Sequence, residues 1–516
     1  MKKLKNIKLI ALSLMAMFTM NSCSDLEIEA TDSVIKGALI FEGVANPAEA
    51  LSGLYGQTWG MLGDQANFFA LNEVTTDEQV IPTRGSDWGD NGLWRSLHAH
   101  TWKIDHGFLL TTWNQLNEKV LKATEIIDPL SNASSQQVAE AKFLRAFNMY
   151  FVLDMWGQAP FRNATDGASV TPSVFSASEA YDFIINDLND AIAGLPNIGP
   201  SSETKGASKA AANFLKAKVI LNSERYTGSE PNYNEVISAV DAVESAGFGL
   251  QAGYFDLFLP SVDTETVLYG EIGIGNRIWN GMHYNIVSPD NGGGGWNGFS
   301  TLAEFYDLFE GDANQNYVGS GQEERRGFVP DASNADANTN YGIGYGFLIG
   351  QQYDANGNAL SDRAGNPLNF TRDFDLQNSS ETQAIRVIKY HPYDGSGSAS
   401  FRAHEIILRF ADAHLMRAEA MLRGGGGSAT AEVNELRALR GASPLPSVSL
   451  DDMIDERGRE LYVEFFRRND LLRFDQFTKN WEFKDPASVG DTTRNLFPIP
   501  LDALISNPNL VQNPGY

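Results

Sequence analysis

Two stretches of the chain set aromatic rings among small polar residues. NEVTTDEQVIPTRGSDWGDNGLW (72–94) carries Trp88 and Trp94 with Arg84, Asp87, Asp90 and Asn91, and Pro82, Gly85, Gly89 and Gly92 keep it from reading as a helix. GNRIWNGMHYNIVSPDNGGGGWNGFS (275–300) carries Trp279, Tyr284 and Trp296 among asparagines and glycines. A flat ring buries the C–H face of a sugar, while amides, carboxylates and guanidinium groups beside it bond the hydroxyls. Together the stretches read as a carbohydrate platform. Trp88 and Trp296 are its expected walls, and Trp94, Trp279, Tyr284, Arg84, Asp87 and Asn91 its further binding residues. The opposing reading makes these rings core plugs beneath loops. Trp102, Trp113 and Trp156 stand in apolar helical context and are assigned to the core.

Other constellations do less. Glu456, Glu460 and Glu464 stand four apart beside Arg457, Arg459, Arg467 and Arg468. Catalytic carboxylates converge in a cleft from separated segments, so this cluster reads as an ion-pair lock between helices, and no catalytic residue is assigned. His98, His100 and His106 lack the carboxylate partners of a metal centre. His404-Glu405 lacks the second His of a zincin helix. Asp354, Asn356 and Asn358 echo a calcium loop but read more simply as a hairpin turn. No metal is expected. The Gly-rich segments GEIGIGN and GIGYG lack a nucleotide fingerprint's strand–helix context, so no cofactor is expected either.

The single cysteine is Cys23. Lys2, Lys3, Lys5 and Lys8 precede the apolar run LIALSLMAMFTM (9–20), which is too short to span a bilayer as a helix. This pattern predicts a secretory signal peptide over residues 1–22. Ser22-Cys23 resembles a bacterial lipobox, with Cys23 as lipid anchor. Acidic residues follow at once, Asp25, Glu27 and Glu29 among them. No second apolar run reaches spanning length, so membrane attachment is expected through lipid alone.

The 516 residues are 42% hydrophobic, enough to bury a large core, and one cysteine excludes an intrachain disulfide. The formal net charge of −26 includes the four leader lysines, so residues 23–516 carry −30. Such a surface repels phosphate backbones, and nucleic acid is not an expected partner. The charge favours neutral glycans, although Arg325-Arg326 offers a local site for a uronate.

These loops need a scaffold. Residues 139–157 are apolar almost all round from Phe143 to Trp156, which predicts a central buried helix. Residues 208–223 and 232–246 predict one helical pair, with Ser208 as a cap and Gly247 as a stop. Residues 404–423 and 430–440 predict a second pair, and 451–472 one long helix. Small residues at the presumed crossings give these pairs a tetratricopeptide-like style. Residues 249–400 are rich in Gly, Asn, Asp and aromatics and read as loops and short strands inserted into the scaffold.

Four segments, in order, resemble the SusD/RagB family of Bacteroidetes outer-membrane nutrient-binding lipoproteins: RAFNMYFVLDMWGQAPF (145–161), EIILRFADAHLMRAEA (405–420), DERGRELYVEFFRRNDLLRF (455–474) and NLFPIPLDALISNPNLVQNPGY (495–516). Small departures are Phe410, Asp412 and Phe466. The resemblance implies a mainly α fold, a SusD-like scaffold of tetratricopeptide-like helical pairs whose loop-rich insert forms the ligand face. One domain is then expected over 23–516, with scaffold helices at about 45–248 and 401–475 and a C-terminal strap at 494–516. It further implies a cell-surface lipoprotein that captures glycan and delivers it to a SusC-like TonB-dependent transporter. Acidic residues after the lipidated cysteine resemble the signal for exposure on the cell exterior. The competing functions are a protein-binding scaffold and a surface glycosidase.

Overall fold

The computed structural model describes residues 41–516 apart from 168, 274, 289–292, 337–339 and 393–403. The expected signal peptide and Cys23 lie outside the described residues.

The helices are α1 (Pro47–Leu62), α2 (Asn67–Glu73), α3 (Leu93–His98), α4 (Gly107–Ile127), α5 (Ser135–Trp156), α6 (Ala177–Gly194), α7 (Lys209–Leu221), α8 (Tyr233–Ser245), α9 (Gly275–Gly281), α10 (Phe410–Arg423), α11 (Ala429–Leu439), α12 (Leu450–Leu461) and α13 (Arg467–Arg473), with shorter turns between. Neighbours in this order pack on one another from α4 to α8, α8 packs on α10, and α10 on α11 and α12. This is the tetratricopeptide-like paired-helix scaffold expected, and both predicted pairs are present.

Local chemistry explains the main elements. α5 opens on a capping box between Ser134 and Gln137 and stops at Gly157, whose φ is +69°. Every residue from Phe143 to Trp156 is buried, so α5 is the axis of the core. Ser208 caps α7 by accepting the Ala211 N–H at 3.1 Å. Trp102, Trp113 and Trp156 are all buried as assigned.

Two elements differ from expectation. The predicted helix at 404–423 begins only at Phe410; Glu405–Arg409 is a strand paired antiparallel with Thr266–Gly270. Its apolar, partly β-branched run suits a strand buried on both faces. The long helix at 451–472 is broken. α12 ends at Leu461 and α13 starts at Arg467, and between them Val463 and Phe465 take φ of +60° and +73°. Partners outside the helix hold these left-handed residues: Glu78 accepts the Val463 N–H at 3.0 Å, Glu73 accepts the Phe465 N–H at 2.6 Å, and Asp77 takes Arg467 in a two-pronged pair at 2.8 Å. Glu464 therefore lies in the break, off the helix face of Glu456 and Glu460.

The arginine–carboxylate cluster is a buried lock. Glu460 accepts from Arg325, Arg409 and Arg440, Arg457 bridges Asp412 and Asp470, and Asp154 on α5 holds Arg225 and Arg468. Arg325 and Arg326 are both buried, so the uronate site considered at this pair is not exposed.

The inserted region is built from loops and short strands. Gly327–Phe328, Tyr345–Leu348 and Arg386–Ile388 form a three-stranded sheet, and two further strand pairs join Val287–Ser288 to Gly293–Gly294 and Gly350–Gln351 to Asn369–Phe370. The C-terminal strap returns to the central helix: Trp156 donates its indole N–H to the Pro498 carbonyl at 3.1 Å, and Asn513 donates to the carbonyls of Trp156 and Phe497 at 3.0 and 2.7 Å.

Candidate functional site

The segment after α2 runs to the insert and pairs with it. Val80 and Ser300 exchange main-chain hydrogen bonds at 2.8 and 3.0 Å, and Arg84 and Asp87 close a tight turn the same way. Trp88, Asp90 and Asn91 then adopt positive φ, which swings the chain sharply into α3.

That course lays the Trp88 indole on the main chain of 296–298. Its N–H donates to the Trp296 carbonyl at 2.8 Å. Gly298 makes the approach possible, because a Cβ there would stand 2.5 Å from the indole. Trp88 also packs edge-on to Trp94 (5.8 Å) and against Phe299 (6.0 Å). Trp296 is 43% exposed, and its main-chain N–H donates to the Trp279 carbonyl at 2.8 Å. A half-buried indole thus supports the loop that carries the exposed Trp296.

Beside them the Tyr284 hydroxyl donates to Asp87 at 2.5 Å, and the Arg363 guanidinium lies over the Tyr284 ring, 3.7 Å from its centre. Arg363 donates from Nη2 to Asp87 at 3.2 Å, from Nε to Glu381, and from its main-chain N–H to Glu381 at 3.0 Å. His283 stands 3.2 Å from Glu381. Burial and the nearby Arg386 bring the His283 pKa down to about 4, so the ring is neutral and donates. The Tyr284 hydrogen bond, with Arg363 beside it, holds Asp87 below the usual carboxylate range. Burial would raise Glu381, but the Arg363 bonds outweigh it and lower it.

Several expected residues sit elsewhere. Trp94 and Trp279 are buried, so neither ring is open to a sugar. Trp94 is wedged between Trp88, Phe108 and Phe299, and its N–H is engaged by Asp90. Arg84 is buried too, and burial brings its pKa down to about 9. It shares the Ser300 hydroxyl with buried Arg386 at 3.0 and 3.2 Å. Arg386 also grips the Asn297 side chain, so the pair braces the 296–300 loop from behind. Asn91 is exposed on the turn. Trp88, Trp296, Tyr284 and Asp87 are brought together.

Arg363 and Glu381 escaped the sequence reading. A repeat could have flagged the first. DANGN (354–358) and DRAGN (362–366) form matching turns in which the leading Asp accepts two main-chain N–H groups and the closing Asn side chain. The second turn carries Arg363 to the platform. The first accounts for Asp354, Asn356 and Asn358 as a hairpin turn. His98, His100 and His106 each place Nε2 on a different carbonyl, of Glu482, Thr75 and Leu93. A larger groove of about 680 Å³ lies away from the platform, by Tyr55, Trp59 and Glu140. The Tyr55 hydroxyl is already tied there to Glu140 and the Ala207 N–H. A sugar platform is a surface rather than a cavity, so chemistry and not volume identifies the site.

Comparisons with known proteins follow the same outline. The profile described as the SusD family matches residues 264–516, and one described as "Starch-binding associating with outer membrane" matches 59–221. The chain is 27% identical to the starch-binding protein SusD of Bacteroides thetaiotaomicron over the full length of both. Among solved structures, a SusD-like protein of Bacteroides fragilis superposes with a TM-score of 0.69 at 20% identity, over 92% of this chain and 98% of that one. A laminarin-binding SusD-like protein superposes at 0.67 and 20% identity, over 92% and 100%.

Proposed function

The chain belongs to the SusD family, and from that premise we propose that it is a cell-surface glycan-binding lipoprotein. The observation that carries the reading is the convergence of Trp88 and Trp296 from loops 208 residues apart into one aromatic platform rimmed by Tyr284, Asp87 and Arg363. The exposed indole takes the apolar face of a sugar, and the polar rim takes its hydroxyls. Captured glycan passes to a SusC-like TonB-dependent transporter of the outer membrane, against which the helical scaffold docks. Cys23 is the lipid anchor. No described helix is long and apolar enough to cross a membrane, which fits attachment through lipid. Cys23→Ala is expected to release the protein from membranes or leave it unprocessed; unchanged fractionation would count against the anchor.

The protein binds rather than cleaves. A glycosidase needs one carboxyl kept protonated near neutral pH beside an ionised partner. The half-buried carboxyls of the platform, Asp87 and Glu381, are both lowered and both bonded to Arg363, which suits neither for the acid's role. The test is affinity electrophoresis of the soluble form beginning after Cys23 in gels containing starch, laminarin or mannan, alongside a reducing-end assay. Retention by at least one polymer, lost in Trp296→Ala and without sugar release, is the expected result. Release abolished by mutating one carboxylate would favour the enzyme instead.

A further inference from the structure

We infer that Arg363 is a specificity-determining residue of this platform, supplying a second flat plate and the hydrogen-bond donor that orients an uncharged glycan upon it. The inference rests on the glycan reading above. Its ground is the way the guanidinium is held. Asp87 and Glu381 both engage it, and its Cζ lies over Tyr284 at 3.7 Å from the ring centre, while about half of the side chain stays exposed. A surface arginine tethered only for stability would contribute little and is normally free to sample many rotamers. This one is pinned by two carboxylates, a ring and its own main-chain N–H on Glu381. The pinning is reinforced beneath: His283 braces Glu381, and Asn285 donates to the Ser361 carbonyl at 2.7 Å, seating the turn that carries Arg363.

The hydrogen bonds of this guanidinium run from Nε and Nη2. Among the described residues Nη1 has no hydrogen-bond acceptor, which leaves it to donate to ligand oxygens from a guanidinium positioned before the ligand arrives. The charge is already balanced by Asp87 and Glu381, so the natural acceptors are sugar hydroxyls rather than a carboxylate or sulfate. Tyr284 is tied to Asp87, and its neighbouring strand leads within two residues to Trp296, since Gly294 rests against the Tyr284 main chain. Arg363–Tyr284 and Trp88–Trp296 are thus carried on neighbouring stretches of main chain.

The experiment is affinity electrophoresis in starch, laminarin and mannan gels of the wild type, Arg363→Ala, Arg363→Lys and Trp296→Ala, with circular dichroism and melting curves for each. On whichever polymer retains the wild type, Arg363→Ala is expected to bind about tenfold more weakly, the loss of one charge-assisted hydrogen bond, with an unchanged melt. Lysine is expected not to rescue, because a point charge cannot reproduce a planar fork lying on a ring. Unchanged affinity in Arg363→Ala, or full rescue by lysine, overturns the inference. If Trp296→Ala loses binding in the same gels, the glycan reading survives that failure. Retention of the wild type by none of the three polymers overturns both.

Discussion

Trp88 and Trp296 are joined by one hydrogen bond, indole N–H to main-chain carbonyl at 2.8 Å, across 208 residues of chain. On the proposed reading the two rings have unequal jobs: Trp296 would meet the glycan, while Trp88 holds the main chain of Trp296 in place. Trp296→Ala is expected to cost binding alone, about 2 kcal/mol or roughly thirtyfold, with a normal melt. Trp88→Ala is expected to behave differently. Its packing on Trp94 and Phe299 instead predicts a loss of about 2 kcal/mol in stability together with the loss of binding. Trp88→Phe should keep most of the stability and lose about 1 kcal/mol of binding with the missing N–H. Paired urea melts and affinity gels separate the three variants.

Gly298 gives a way to disturb the platform without touching ligand. It is buried, and a methyl group there would stand 2.5 Å from the Trp88 indole. Gly298→Ala is expected to push that ring outward and weaken glycan binding about tenfold, an overpacking penalty of the usual size. A shift in tryptophan fluorescence should accompany the loss. Unaltered fluorescence and full affinity would show that the ring does not depend on this contact.

The carboxyls holding the α12–α13 break carry a pH signature. Glu73 and Glu78 are both buried, and burial raises the pKa of each, which favours a proton held at this pair. Burial raises Glu78 well above its ordinary 4.5, and the charge of Glu73 raises it further, while Arg467 opposes; Arg277 and Lys389 act on Glu73. A raised carboxyl pKa favours the fold below the unfolded value, and that advantage is lost as pH rises toward the folded one. Glu78→Gln mimics the protonated form. It is expected to gain stability over wild type at pH 8 and to lose the advantage near pH 4, read from denaturant midpoints. A difference that does not vary with pH would refute the shared proton.

Removing one centre of the buried ion network should be severe. Glu460→Ala leaves Arg325, Arg409 and Arg440 facing one another without their common carboxylate. A loss of about 3–5 kcal/mol in unfolding free energy is expected. Any folded fraction should retain glycan affinity, since none of these residues belongs to the platform. A loss under 1 kcal/mol would show that water or neighbouring carboxylates replace it.

How much of this was legible in the sequence depends on the range of the forces involved. α5, α7, α8 and α11 follow from periodicity and from caps such as Ser208, which are local. The strand Glu405–Arg409 was read as helix because its partner, Thr266–Gly270, lies far upstream. The break after Leu461 was invisible because Glu73, Asp77 and Glu78 hold it from the other end of the chain. At the proposed platform, the residues named from composition that stand near one another are Trp88, Trp296, Tyr284 and Asp87. It could not separate an exposed indole from Trp94 or Trp279, since loop residues of the same type line both sides of a surface. Arg363 stayed hidden because only the register of a turn brings it to Tyr284.

The strap that returns to α5 has a consequence in time. Trp156 and Asn513 close the core with residues 498–513, and Trp102 donates its indole N–H to the Tyr516 hydroxyl at 2.7 Å. The central helix is made early in synthesis, yet its last partners arrive with the final residues. On the proposed reading the chain is exported and must stay threadable until it has crossed its membrane, and a core that waits for its own tail would keep it so. A chain halted before residue 497 is expected to leave 135–156 open to protease, with closure following only on addition of the remainder; protection of the halted chain would show that the core does not wait.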